Sequence, residues 1–163
     1  SLFSCPYSSQ KMIIKEIREF NQKLTQKGIR IIPVRISDKR MLVYVYRPEK
    51  LKEDFSDEKT QIILKCKGYD CTNLSQCICR LIQKLQSDPD FPHEIGLFLG
   101  YPAEDVKGFI ENKAACSKCS GCWKVYGDEQ AARILFKKYK KCTEIYCRRW
   151  KSGVAVEQLT ITI

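Results

Sequence analysis

The chain is poor in the features that usually announce a function. No stretch approaches the roughly 20 consecutive apolar residues needed to cross a bilayer, so no membrane span is expected. Residues 1–9 are short, polar and contain Pro6, so no secretory signal peptide is expected in this stretch. The only histidine is His93. There is no H-E-x-x-H pair, no Walker loop, no G-x-G-x-x-G and no G-x-S-x-G, so the zincin, P-loop, dinucleotide-binding and serine-hydrolase signatures are all missing. Gly96 and Gly100 lack phosphate-loop spacing and are read as close-packing or helix-end positions. No internal repeat or low-complexity tract interrupts the 163 residues, which fit a single α+β domain over 1–163. Because the chain opens on Ser1 rather than Met, a native N-terminal segment is expected to be missing.

What is present is cysteine and positive charge. Ten cysteines are many for this length. They would be disulfides in an oxidising compartment, and thiols or metal ligands in a reducing one. The missing signal peptide and the long amphipathic stretches favour the cytoplasm. The formal net charge is +10, and it is concentrated. Between Arg133 and Lys151 eight basic residues, among them Lys137, Lys138, Lys141, Arg148 and Arg149, face a single acid, Glu144. Such a helix suits nucleic acid, acidic lipid or an acidic protein partner; its bland reading is a solvated face.

Periodicity predicts a helix over 10–27, where Met12, Ile13, Ile17, Phe20 and Leu24 share a face and Gly28 ends the run. Two strands follow, 29–36 and 41–46, joined as a hairpin. Met41, Val43 and Val45 fall on one side, with Leu42, Tyr44 and Tyr46 on the other. Pro33 lacks an N–H and argues for an edge strand. Pro48 opens a short helix, Asp57 caps one over 58–67, and Thr72 or Asn73 caps one over 74–86. Residues 93–99 read as a short helix, and Pro102 with Glu104 and Asp105 starts the next. Residues 113–121 read as a loop and 123–126 as a short strand. Asp128 caps the last long helix, whose buried side is expected to be Ala131, Leu135, Tyr139, Cys142, Ile145 and Trp150. Residues 154–163 alternate as a final strand. Strands and helices do not alternate regularly, so the expected class is α+β: a small, largely antiparallel sheet, a hairpin plus one or two further strands, packed by five or six helices.

The organising stretch is Pro92 to Gly127. Its PHEIGLFLGYPAEDVKGFIENK and GCWKVYGD segments resemble the uncharacterised bacterial family catalogued as domain of unknown function thirty-seven ninety-three, found mainly in anaerobes. The opening Leu2-Phe3-Ser4-Cys5-Pro6-Tyr7, the Cys142-Thr143-Glu144 step and Arg148-Arg149-Trp150 are also similar to that family, so the likeness covers nearly the whole chain. The resemblance implies a cytoplasmic protein whose natural form carries a further N-terminal segment with a His-Cys pair. Family genes lying near flavodoxin-like and iron-uptake genes imply a place in anaerobic redox or iron metabolism. The resemblance carries no established activity.

Three constellations compete. Cys116-x-x-Cys119-x-x-Cys122 is spaced so that a tight turn can converge the thiolates on zinc or an iron–sulfur cluster, with His93 or Cys142 as a fourth ligand; its plain alternative is free thiols. His93-Glu94 offers a titrating imidazole beside a carboxylate as the centre of an enzyme. Adjacent helical residues diverge by about 100°, however, and the plain alternative is that His93 caps its helix or bonds a backbone carbonyl. Trp123-Lys124-Val125-Tyr126 places Trp123 and Val125 on the core side and leaves Tyr126 as the wet aromatic. The leading expectation is a metal- or iron–sulfur-binding protein with a redox protein partner. The first alternative is a nucleic-acid or acidic-partner module on the basic helix, and the second an enzyme at His93 and Glu94. On the metal reading, Cys119→Ser removes the bound metal from protein purified without oxygen; unchanged metal content would sink that reading.

Overall fold

Strand formation begins where β-branched residues alternate. In the computed structural model, which describes residues 1–87 and 90–160, β2 (Arg30–Ile36) and β3 (Arg40–Tyr46) form the expected antiparallel hairpin. A third strand, β1 (Leu2–Pro6), pairs antiparallel with β3 from Leu2↔Tyr44 to Pro6↔Arg40. The sheet order is β1-β3-β2, so Pro33 does sit on an edge strand, where the register also shifts between Pro33 and Arg35. The β1 strand escapes a sequence reading because its partner lies about forty residues away and its own five residues do not alternate.

The two faces of the sheet bury different things, as the pleat dictates. Met41 and Val43 pack with Ile17 and Ile13 of α1 (Gln10–Leu24). Tyr44, with Leu42 and Tyr46, turns to the main core. A turn of 3-10 helix (Thr25–Lys27) ends at Gly28, whose φ of +70° suits glycine. The Asn21 amide clamps α1 to the edge strand: its Nδ2 donates to the Ile31 carbonyl at 2.7 Å and its Oδ1 accepts from the Ile31 N–H at 2.9 Å. That pairing occupies edge groups that would otherwise invite another strand.

The main core is built by the central helices. These are α2 (Pro48–Ser56), α3 (Glu58–Cys66), α4 (Leu74–Ser87), α5 (Ile95–Phe98) and α6 (Ala103–Glu111). Their boundaries follow caps. Asp57 accepts from the Thr60 N–H at 2.8 Å, and Asn73 accepts from the N–H groups of Ser75 and Gln76. Leu51, Phe55, Leu64, Leu81, Leu85 and Phe98 interlock here with Tyr44, whose hydroxyl donates to the Phe98 carbonyl. Cys77 is fully buried in this cluster as a small core hydrophobe; burial pushes its thiol up to about 11.

A second, two-stranded sheet pairs β4 (Cys119–Ser120) with β5 (Lys124–Val125), so part of the stretch expected to be loop is strand. The long α7 (Glu129–Lys151) follows, capped by Asp128, which accepts from the Ala131 N–H at 3.0 Å. Ala132 is its one buried residue; Ala131, Tyr139, Cys142, Ile145 and Trp150 are exposed and Leu135 is half-buried, against the expectation that they line a buried side. Amphipathic spacing creates a face, but burial needs a neighbour, and residues 137–151 of this helix are all exposed among the described residues. The expected last strand is likewise corrected: α8 (Val156–Leu159) is a helical turn, tied back to α1 by the Lys23–Glu157 ion pair at 2.6 Å. Residues 161–163 lie outside the described residues. The class is α+β, with eight helices among the described residues, a three-stranded antiparallel sheet and a small hairpin. No helix among them is long and apolar enough to cross a membrane.

Candidate functional site

The site is assembled by one buried carboxyl group. Asp105 lies in the first turn of α6 and is 3% exposed. Its Oδ2 accepts from Trp123 Nε1 at 2.6 Å, and its Oδ1 accepts from the N–H groups of Tyr126 and Gly127, both at 2.7 Å. A buried carboxyl group is tolerable only when its oxygens are so supplied. The three bonds fasten the β5 segment to α6. Glycines let the two approach: a Cβ on Gly108 would overlap the Tyr126 ring, and one on Gly127 would stand 2.9 Å from Glu104 Oε2; Gly121 makes room in the same way for the Phe136 ring of α7. Gly96 serves the same purpose in α5, where a Cβ would meet Val106 Cγ2 at 2.8 Å, while Gly100 ends its turn at φ +76°. The Tyr126 hydroxyl is buried without a hydrogen-bond partner among the described residues, so Tyr126 is not the wet aromatic that alternation suggests.

Between the two fastened segments lies a cavity of about 320 Å³. Its walls are apolar: Phe91, Ile95, Val106, Phe109 and the stacked pair Tyr101–Trp123, whose ring centroids are 4.7 Å apart. His93, Cys122, Lys124 and Ser120 supply the polar lining beside Asp105. Lys124 donates from Nζ to the Ala114 carbonyl at 2.6 Å, which fixes the ammonium near the cavity. His93 is exposed, lies edge-on to the Phe109 ring at 5.1 Å between centroids, and has no side-chain hydrogen bond among the described residues. It caps the short helix through its backbone alone, its carbonyl accepting from the Gly96 N–H.

Glu94 points elsewhere. It is 4% exposed and accepts from Lys84 Nζ at 2.6 Å and from the Tyr69 hydroxyl at 3.1 Å. Lys84 also donates to the Lys67 carbonyl and sits 4.7 Å from the centre of the Tyr69 ring. Burial pushes the Glu94 carboxyl up, but the bonds from Lys84, the backbone and Tyr69 outweigh it and hold the group below its ordinary value. Burial and the Glu94 charge push the Tyr69 hydroxyl well up. Glu94 therefore anchors α5 to α4 and does not orient the His93 ring.

The cysteine triad is not drawn together either. Cys116 is exposed in a loop where Lys113, Ala114 and Cys116 all have positive φ. Cys119 packs half-buried against the Trp123–Val125–Ala132 cluster. Cys122 is exposed at the cavity beside His93. Among the described residues no three His, Cys, Asp or Glu side chains group as a metal site. Of the expected ligand set Cys116, Cys119, Cys122 and His93, only Cys122 and His93 line the cavity, and neither the cavity nor Asp105 is an expectation of the sequence. Asp105 was legible only as a residue of a helix first turn, because a first-turn aspartate ordinarily faces solvent and three distant N–H donors are invisible in sequence. Lys137, Lys138, Lys141, Arg148 and Arg149 are all exposed on α7, and none of them lines the cavity.

A family model described as "Protein of unknown function (DUF3793)" matches residues 1–160. No curated protein and no solved structure matches the chain.

Two outcomes follow from the anchors. Asp105→Asn turns an amide N–H₂ toward one of the three donors, and is expected to lower unfolding stability by about 3 kcal/mol in a denaturant titration. Glu94→Gln leaves Lys84 without its buried partner and is expected to cost about 3 kcal/mol at pH 7. Because the folded Glu94 carboxyl lies below its ordinary 4.5, its contribution is complete above that value and is lost as pH falls through the folded one. The gap between wild type and Glu94→Gln should therefore close in acid; a gap independent of pH would contradict the assignment.

Proposed function

We propose that this chain, which belongs to the DUF3793 family, is a small-molecule-binding domain whose ligand occupies the cavity between α5–α6 and the β4–β5 hairpin. The observation that carries this reading is convergence. The α5–α6 stretch and the GCWKVYG segment meet across one apolar recess: Asp105 takes N–H donors from Trp123, Tyr126 and Gly127, and Gly108 leaves room for the Tyr126 ring. An apolar recess with a few fixed polar groups is the usual form of a ligand site, and about 320 Å³ is at the small end of such sites.

The lining selects the ligand class. Tyr101, Trp123 and Phe109 present ring faces and edges, which favour a flat, largely apolar molecule. His93 offers two ring nitrogens and Lys124 its remaining N–H donors, which favour a carboxylate, phosphate or carbonyl on one edge of that molecule. The exposed Cys122 thiol shares the recess. A metal or cluster role for Cys116, Cys119 and Cys122 rests on their spacing, and an enzymatic role on His93 without Glu94.

The aromatic anion 1-anilinonaphthalene-8-sulfonate is a suitable probe. Trp123 and Trp150 are the only tryptophans, so in a Trp150→Phe background quenching reports on the cavity wall. Saturable one-site quenching is expected from the native protein. His93→Ala should weaken it at least five-fold, and Ser120→Phe, which fills the recess from its exposed side, should abolish it. Absence of saturable binding, or binding indifferent to both substitutions, overturns the proposal.

A further inference from the structure

The distal half of α7 is largely open to solvent. From Lys137 to Lys151 every residue is exposed. Along this stretch Tyr139, Cys142, Tyr146 and Trp150 continue the helical stripe that Ala132 and Phe136 begin by packing on the hairpin cluster. The stripe therefore keeps its aromatic character after the core ends: Trp150 is 62% exposed, Tyr139 45% and Tyr146 41%. By the same helical spacing, Lys138 and Arg149 border the stripe on one side and Lys140 on the other. The outer arc carries Lys137, Lys141 and Arg148.

This alternation of exposed ring faces with bordering cations has a chemical counterpart. Single-stranded nucleic acid offers unpaired bases that stack on aromatic rings and phosphates that meet Lys and Arg. A duplex would use the cations and leave the rings uncovered. A bilayer would need the stripe to face outward as a plane. Yet Tyr139, on that stripe, lines a groove of about 530 Å³ whose other walls include Tyr46, Arg47 and Leu99 of the body. An extended strand can follow the stripe into such a groove, and a flat membrane surface cannot. A second copy of a chain with net charge +10 would meet this face with like charge.

We infer that α7 is a binding surface for single-stranded nucleic acid, with bases stacked on Tyr139, Tyr146 and Trp150 and phosphates held by Lys138, Lys140 and Arg149. None of these residues lines the cavity, although the Tyr139 ring meets the cavity wall edge-on at Trp123, and the inference does not depend on the ligand proposed there.

The test is anisotropy of fluorescein-labelled 15-nucleotide oligo-dT with the whole chain under reducing conditions. Three neutralised phosphates would weaken binding roughly 20-fold between 50 and 200 mM salt. Trp150→Ala should weaken it at least five-fold, the range of one lost base stack. Trp150→Phe, which keeps a ring, should stay within about two-fold of wild type. Because Trp150 is largely exposed, neither substitution is expected to disturb the fold, and unchanged helical circular dichroism checks this. Equal affinity of Trp150→Ala and wild type overturns the inference, as does equal affinity for a duplex of the same length. So does uptake by phosphatidylglycerol vesicles, with a blue-shifted Trp150 emission, in a protein that ignores the oligonucleotide.

Discussion

The buried Asp105 carboxyl group decides the geometry of the whole central region. Its oxygens take one side-chain and two backbone N–H donors from the segment Trp123–Gly127. Removing a carboxyl group from water is costly, and only such a full set of donors offsets it. The arrangement has one geometry, because Trp123 Nε1 and the two adjacent backbone N–H groups lie at fixed distances from one another. Once β5 is held there, Trp123 stacks on Tyr101, Val125 is buried, and the ring of Phe136 closes over Gly121. The cavity is what remains between α6, α5 and this segment.

A second buried polar anchor acts on the opposite side of α5. Glu94, Lys84 and Tyr69 tie the short helix to α4, with Lys84 also reaching the Lys67 carbonyl. Four helical residues cannot hold their own position, so α5 depends on this anchor and on Tyr44, whose hydroxyl meets the Phe98 carbonyl. The two anchors divide the His93-Glu94 pair between them. Glu94 is absorbed into the interior, and His93 is left at the surface of the cavity against Phe109. Neighbours in sequence, in the turn that leads into α5, thus serve different parts of the molecule.

The same contrast runs through the cysteines. Even spacing suggests one convergent site, but a hairpin sends alternate residues to opposite sides. Cys119 turns into the cluster with Ala132, and Cys122 comes out beside the cavity. The positive φ values at Lys113, Ala114 and Cys116 show a loop bent to meet the hairpin, held by Lys124 on the Ala114 carbonyl. Burial raises the thiols of Cys71 and Cys77, which makes them packing groups rather than ready nucleophiles.

Local chemistry was legible in the residues themselves. Asp57, Asn73 and Asp128 announce their helices because a cap is a contact within three residues. Pro33 announces an edge because it lacks a donor, and the two faces of β3 are written in its alternation. The α+β class follows from those elements, and the family from the two glycine-flanked motifs. Tertiary structure alone decided the rest: the β1 strand, the three donors on Asp105, the separation of His93 from Glu94, and the exposure of Tyr146 and Trp150 on α7. Each of these depends on which distant surface arrives opposite a residue. Periodicity specifies a face, and only a neighbour turns that face into core, cavity or open surface.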